Sequence, residues 1–150
     1  MRRICEYSLA VVLACSLALP LQATELSELD GLRGRVVYLD FWASWCEPCR
    51  QSFPWMQRMR QSYETRGLTI IAVNLDHDRA DAESFLKRFN PDFQIRFDPD
   101  GHWADKFQIQ GMPTSIVIDR HGVVRFTDVG FLPADGPKHA RQIEELLAEP

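Results

Sequence analysis

The cysteine pair in the segment FWASWCEPCRQSFP, residues 41–54, constrains this chain more than any other feature. Cys46 and Cys49 are two residues apart and stand between two runs of contrasting pattern. The run before them, RVVYLDF, is rich in β-branched and aromatic residues and predicts a buried strand. The run after them, from Arg50 onward, places apolar side chains at helical spacing and predicts a helix that ends near Gly67. The pair therefore lies where a strand ends and a helix begins.

The pair could staple the fold, bind a metal or carry electrons. A bridge between such close neighbours constrains the unfolded chain little, so it is a weak staple. A structural zinc site needs two further cysteine or histidine ligands at matching spacing. The four histidines are scattered along the chain, at His77, His102, His121 and His139. Redox chemistry is therefore the preferred interpretation, and it needs no metal and no organic cofactor.

The predicted start of the helix favours a charged sulfur on Cys46. Free backbone N–H groups and the helix dipole stabilise an anion at this point, and the thiolate is the nucleophile in disulfide exchange. Cys49 lies one turn inside the helix, within reach of Cys46 and more deeply buried. Pro48 suits the first helical turn because its missing N–H would go unused there. Pro54 is expected to kink the helix.

The rest of the sequence alternates between strand and helix patterns. GLTIIAVNLD predicts a second buried strand, and DRADAESFLKRF predicts a helix. FQIRFDPDG reads as a short extended piece with a turn, and HWADKFQI as a brief helix. TSIVIDRHGVVRFTDVG predicts a hairpin around Asp119–Gly122. A C-terminal helix follows, with the apolar face Ile143, Leu146 and Leu147. This order is typical of a single α/β domain with a mixed sheet.

The first 23 residues differ from the rest of the chain. A basic start precedes a largely apolar run over residues 7–21, which is shorter than the ~20 apolar residues that span a bilayer. This pattern is typical of a secretory signal. We expect cleavage after Ala23, which leaves residues 24–150 as the exported domain. The alternatives are an uncleaved N-terminal anchor and a lipoprotein modified at Cys15.

Several motifs, in order along the chain, resemble those of thioredoxins. LDFWASWCEPC resembles their active-site segment, and Pro54, eight residues after Cys46, resembles their helix-kinking proline. GMPTS, residues 111–115, is similar to their cis-proline loop, and Gly130 resembles the glycine after their last strand. The resemblance covers roughly residues 25–150. It implies a thioredoxin fold, in which helices flank a central mixed β-sheet.

Within that superfamily the chain is most similar to the exported TlpA/ResA-like thiol–disulfide oxidoreductases. The signal-like start, the dipeptide Glu47–Pro48 and an extra strand–helix insert around Asp76 to Pro91 carry this similarity. It implies an enzyme that reduces disulfides of client proteins in the periplasm and receives electrons from a membrane thiol donor. Members of this group often serve cytochrome c maturation. Membrane contact is expected only through an uncleaved or lipidated N-terminus.

The resemblance also implies roles for individual residues. Cys46 is the attacking cysteine and Cys49 the second one, and the two close into the redox disulfide. Thioredoxins have an aspartate at the position of Asp40, which helps to deprotonate the second cysteine. A carboxyl group beneath the cysteine pair is poorly solvated, so its pKa should be raised. Asp40 is therefore expected to accept the proton of Cys49.

Other residues are expected to bind the client or to modulate the pair. Trp45, Met112 and Pro113 should line the docking surface, with Pro113 preceded by a cis peptide bond. Glu47 and Pro48 should modulate the pair. The negative charge of Glu47 disfavours the thiolate and makes the dithiol a better reductant.

Three other functions remain open from the sequence. A peroxidase of the peroxiredoxin type shares the wider fold but would not need the adjacent Cys49. A non-enzymatic copper-handling module would favour a methionine ligand near the cysteines, for which Met112 and Met56 are candidates. A disulfide-forming oxidase would favour histidine where Glu47 stands. Nucleic acid is not an expected partner, because the net charge is −4 and no stretch is dense in Lys and Arg.

Overall fold

The computed structural model describes residues 27–150, and the expected signal segment with its alternatives lies outside that range. The chain forms five strands and four α-helices over this range. The strands are β1 Val36–Trp42, β2 Leu68–Asn74, β3 Gln94–Phe97, β4 Thr114–Ile118 and β5 Val124–Val129. The helices are α1 Glu47–Tyr63, α2 Arg79–Phe89, α3 His102–Lys106 and α4 Gly136–Ala148. Short 3-10 turns lie at Ser27–Leu32, Glu64–Arg66 and Pro133–Asp135.

The strands form one mixed sheet in the order β3-β2-β1-β4-β5. The pairs β1–β2 and β2–β3 are parallel, and the pairs β1–β4 and β4–β5 are antiparallel. Strand β1 lies at the centre, and all seven of its residues are buried. This arrangement confirms the predicted thioredoxin fold, with β1 carrying the chain directly into the cysteine pair.

Strand β1 divides the core because successive side chains point to opposite faces of a sheet. We call the side that packs beneath α1 and α4 the site face; it receives Val36, Tyr38, Asp40 and Trp42. We call the opposite side, which packs against α3 and the first 3-10 turn, the apolar face; it receives Val37, Leu39 and Phe41.

The insert differs from its predicted boundaries. Helix α2 lies within the predicted range Asp76 to Pro91, but strand β3 begins at Gln94, beyond it. Asn90 ends α2 in the left-handed conformation, with φ 42°, and Pro91 follows. These two residues are a helix stop rather than the end of the insert. The sequence pattern predicts β3 only as an extended piece, because an edge strand buries few of its side chains.

Helix α1 ends in a 3-10 turn that Gly67 closes, with φ 106°. A glycine is suited to this left-handed position because it has no Cβ to clash. The predicted end of the helical region at Gly67 is therefore confirmed. Within residues 27–150, none of the helices is long and apolar enough to cross a membrane.

Candidate active site

The two cysteines lie at the predicted junction between β1 and α1. Cys46 is the N-cap residue of α1, with extended backbone angles of φ −80° and ψ 107°. Its Sγ is bonded to that of Cys49 at 2.05 Å, and the two Cα atoms are 5.3 Å apart. No side chain caps the start of α1, so its first N–H groups are available to a thiolate on Cys46. Pro48 lies in the first turn, as predicted.

The two cysteines are buried, whereas the residue before them is exposed. Cys46 is 4% exposed and Cys49 is fully buried, so the predicted order of burial is confirmed. The side chain beside them is very different, because Trp45 is 69% exposed. An exposed indole is unusual for a residue of this size, which makes Trp45 the most prominent apolar surface next to Cys46.

Glu47 forms an ion pair within its own helix. Its carboxylate lies 3.1 Å from Nε of Arg50, with 77% of its side chain exposed. Arg50 also donates a hydrogen bond to the carbonyl oxygen of Ser44 at 3.2 Å. The positive partner offsets part of the charge that Glu47 was expected to exert on Cys46. The effect of Glu47 on the sulfur should therefore be small.

Asp40 is buried on the site face of β1, and the predicted direction of its pKa is confirmed. Its side chain is 1% exposed, and burial raises the pKa of this carboxyl well above its usual value. Its Oδ2 atom has no hydrogen-bond partner among residues 27–150. An ionised carboxylate without a partner is costly in such a place. Asp40 is therefore poised to hold a proton.

Three further polar residues lie on the same face and were missed as site residues from the sequence. Ser115 stands directly opposite Asp40 on β4, and His139 of α4 is 2% exposed. Nδ1 of His139 lies 3.3 Å from the hydroxyl of Tyr38 and 3.5 Å from the hydroxyl of Ser115. His139 could have been found from its helical spacing to Ile143, which places it on the apolar face of α4.

The loop that presents the cysteines is held by Asp76, which the sequence reasoning also passed over. The Asp76 carboxylate accepts hydrogen bonds from the backbone N–H and the hydroxyl of Ser44, both at 2.9 Å. It also accepts one from Nδ2 of Asn74 at 2.7 Å. Parallel strands β1 and β2 end at the same edge of the sheet, so a polar residue just after β2 could have been expected beside this loop. The neighbouring His77, one of the four histidines weighed as zinc ligands, is exposed, and its Nδ1 atom contacts the carbonyl oxygen of Pro99.

The loop before β4 has the predicted cis peptide bond, between Met112 and Pro113. The carbonyl of Pro113 accepts a hydrogen bond from the N–H of Gly130 at 2.7 Å. Met112 is half-buried and packs against the core cluster that contains both cysteines. The glycine predicted to follow the last strand is thus bound to the cis-proline loop.

Metal ligands are not clustered in the described part of the chain. Over residues 27–150, no group of three or more His, Cys, Asp or Glu side chains could hold a metal ion. Met56, one of the two methionines considered for copper, is fully buried in the core beneath α1.

Comparisons with known proteins show the family of the chain. The sequence model of the Redoxin family matches residues 11–147. The thiol-disulfide oxidoreductase ResA of Bacillus subtilis is 33% identical over 97 residues, which cover 65% of this chain and 54% of that protein. ResA of Bacillus thuringiensis subsp. konkukian is 30% identical over 120 residues, covering 80% of this chain and 66% of that protein. The chain thus spans between about half and two thirds of the length of these relatives.

Solved structures give the same result. A candidate thiol:disulfide interchange protein DsbE from Chlorobium tepidum is 48% identical with a TM-score of 0.78, covering 80% of this chain and 85% of that one. StoA from Bacillus subtilis is 27% identical with a TM-score of 0.63, covering 73% and 84%. These findings confirm the resemblance read from the motifs. Because the Redoxin model matches most of the sequence and the sheet has the order and burial of a thioredoxin fold, the chain belongs to the Redoxin family.

Proposed function

We propose that the protein is a thiol–disulfide oxidoreductase that reduces disulfides in client proteins through Cys46 and Cys49. The observation that carries this proposal is the arrangement of the pair. The disulfide lies at the start of α1, beside the exposed Trp45. The cis-proline loop leads into β4 next to the end of β1, and the buried Asp40 lies on the site face below. The names of the ResA and DsbE relatives agree with the same activity.

The first step is attack on the client. In the reduced protein, the Cys46 thiolate attacks one sulfur of a client disulfide, and the client S–S bond breaks. A bond forms between Cys46 and the client, and the other client sulfur leaves as a thiolate that takes a proton from water. Trp45, Met112 and Pro113 offer apolar surface and backbone on which the client segment can dock.

The second step releases the client and oxidises the protein. Cys49 gives its proton to the Asp40 carboxylate and attacks the sulfur of Cys46. The bond between Cys46 and the client breaks, and the second client sulfur leaves as a thiolate and is protonated. The client has then gained two electrons, and the protein has lost them in forming the Cys46–Cys49 disulfide. A thiol donor must supply two electrons before the next cycle.

The setting of this activity is also part of the proposal. We place the protein in the periplasm, where a membrane thiol donor would reduce it and where cytochrome c maturation is a candidate use. The signal-like start of the sequence supports this setting. A peroxidase role is not proposed, because the sulfur of Cys46 has a bonded partner one helical turn away.

The experiment combines an activity assay with trapping. The reduced protein should reduce the disulfides of insulin, and Cys49→Ala should accumulate a mixed disulfide through Cys46 in the native cell. Cys46→Ala is the matched control and should trap nothing. A wild-type protein without disulfide reductase activity, or equal trapping by the two variants, would contradict the proposal.

A further inference from the structure

Asp40 has one polar neighbour across the sheet. Its partner on β2 is Ala72, and its partner on β4 is Ser115. Directly opposed residues of neighbouring antiparallel strands have Cβ atoms about 4.5–5.5 Å apart. The hydroxyl of Ser115 can therefore reach the carboxyl group of Asp40 by rotation about its side-chain bond.

The hydroxyl of Ser115 has a second place to bind. It lies 3.5 Å from Nδ1 of His139, and the hydroxyl of Tyr38 lies closer to the same nitrogen, at 3.3 Å. Burial lowers the pKa of His139, which favours the neutral imidazole at pH 7. A neutral ring nitrogen accepts one hydrogen or donates one. In either tautomer at least one hydroxyl hydrogen is left over, and the longer contact belongs to Ser115.

Ser115 and Asp40 are directly opposed on the same face of the sheet. Oδ2 of Asp40 has no hydrogen-bond partner within residues 27–150, whereas the Ser115 hydroxyl has two neighbours that it can turn away from, Nδ1 of His139 and the hydroxyl of Tyr38. We propose that Ser115 is a positioning residue for the proton step, whose hydroxyl turns from His139 to Asp40 when Asp40 ionises. This inference rests on the proposed oxidoreductase function and assigns a residue to its second step.

The rotation of the Ser115 hydroxyl follows the redox cycle. In the reduced protein, the Ser115 hydroxyl donates to the ionised Asp40 carboxylate and lowers the cost of its charge. When Cys49 transfers its proton, Asp40 becomes neutral and the hydroxyl returns to His139. The structure has the cysteine pair closed, with the Ser115 hydroxyl beside His139, which is the arrangement expected after that transfer.

Other charged and titratable groups around Asp40 stabilise its ionised form less than Ser115 does. Tyr38 lies two residues away on β1, and both cysteines lie on α1. Asp128, opposite Ser115 on β5, is held by hydrogen bonds from Lys138 and Gln142 of α4. Burial raises the pKa of Asp128, but those hydrogen bonds bring it below its usual value, so Asp128 has no proton to donate towards Asp40. A neutral hydroxyl donor within reach is therefore the favourable group that this face offers.

The test compares Ser115→Ala with Ser115→Thr. A mixed disulfide between Cys46 and a small aromatic thiol is formed on each protein, and release of that thiol by Cys49 is followed from pH 5 to pH 9. A hydrogen bond to a charged group predicts about a 10-fold slower release for Ser115→Ala at pH 7. Its pH profile should move to higher pH, because Asp40 ionises less readily without the donor. Ser115→Thr keeps the hydroxyl and should release the thiol as fast as wild type.

The Asp40→Asn background separates proton positioning from packing. If Ser115 acts through the charge of Asp40, adding Ser115→Ala to Asp40→Asn should have no further effect on release. A slowing of the same size in both backgrounds, or a Ser115→Ala profile identical to that of wild type, would overturn the inference. Failure of wild type to release the thiol would instead contradict the proposed function, so the two failures are distinguishable.

Discussion

The two faces of the sheet bury very different side chains although one strand supplies both. The apolar face takes Val37, Leu39 and Phe41 from β1 and packs them against Trp103 and its neighbours. The site face takes Tyr38 and Asp40 from the same strand and adds Ser115 and His139 from β4 and α4. The alternation of a single strand therefore separates a purely structural layer from a layer that holds protons.

The difference shows where the fold accepts a cost in stability. Burying a carboxyl group without a partner disfavours folding whenever that group is charged. The apolar face contains no such group from β1, whereas the site face places one under the helix that carries the cysteines. Such a placement is characteristic of functional sites, where pKa values are matched to a task. Single substitutions on the two faces test this contrast.

The largest expected effect is on the nucleophile. Cys46→Ser should reduce the activity against insulin disulfides to the uncatalysed rate, because a hydroxyl does not form the mixed disulfide. The variant should retain its fold, since serine fills nearly the same volume at a residue that closes only a small loop. Far-ultraviolet circular dichroism checks the fold, and residual turnover well above background would contradict the assignment.

The second prediction contrasts adjacent residues of β1 that face opposite layers. Asp40→Asn should slow disulfide reduction at pH 7 by roughly 100-fold, the low end of the ~10²–10⁴-fold range that a positioned acid or base typically contributes. Leu39→Ala should leave the rate and its pH profile unchanged but lower the free energy of unfolding by about 2–5 kcal/mol, because it opens a cavity in the apolar face. Activity assays and urea unfolding on both variants check this contrast. It would be contradicted if Leu39→Ala lost activity and Asp40→Asn did not.

The same pair of variants predicts how stability depends on pH. Burial raises the pKa of Asp40 in the folded protein above its unfolded value, so the folded state holds this proton more tightly. The stability that Asp40 contributes is then full below its unfolded pKa and is lost as the pH rises through its folded pKa. Asp40→Asn cannot lose that contribution. The free energy of unfolding of Asp40→Asn should increase relative to that of wild type as the pH rises. The loss of unfolding free energy in Leu39→Ala should not vary with pH.

The third prediction compares two buried aspartates, Asp76 and Asp98. Both accept hydrogen bonds through their carboxylates, whereas Oδ2 of Asp40 accepts none from residues 27–150. Asp76 binds Ser44 before the cysteine pair, whereas Asp98 accepts hydrogen bonds from the backbone N–H groups of Trp103 and Ala104 at 2.9 and 3.0 Å. Alanine at either position should cost about 1–3 kcal/mol of stability. Only Asp76→Ala should also slow disulfide reduction, by several-fold, because it frees the loop that presents Cys46. Equal activity of the two variants would show that the Ser44 contacts do not position the site.

The two layers also differ in how far the sequence predicted them. Alternation in RVVYLDF and the cysteine spacing predicted β1 and the helix start, because these depend on neighbours along the chain. The resemblance to thioredoxins predicted the raised pKa of Asp40. The position of Ser115 opposite Asp40 depends on strand register, and the contact of Asp76 with Ser44 depends on which loops share an edge of the sheet. Neither is encoded in local periodicity. His139 differs, because its helical spacing to Ile143 predicts its burial but not its partners on β1 and β4. The predicted insert ends too early for a similar reason, since the pairing of β3 with β2 defines its last strand.

The smallest expected effect belongs to Glu47, which is exposed and paired with Arg50. Glu47→Gln removes a negative charge beside Cys46 and should make the pair slightly less reducing. The expected change in reduction potential is at most roughly 10–20 mV, since an exposed charge acts on its neighbour with only about 0.5–1 kcal/mol. Equilibration of wild type and variant against the same dithiol series measures the difference, and a change above about 60 mV would show that Glu47 dominates the couple.

The reduction potential of the Cys46–Cys49 pair tests the proposed direction of electron flow most directly. The protein is equilibrated against a series of glutathione or dithiothreitol ratios, and the fraction oxidised is followed by the fluorescence of Trp42 and Trp45. We expect a reducing couple, nearer to about −270 mV, the value for thioredoxin, than to about −120 mV, the value for the oxidant DsbA. A potential more positive than about −180 mV, in the range of disulfide isomerase, would contradict the account and indicate a protein that makes or rearranges disulfides.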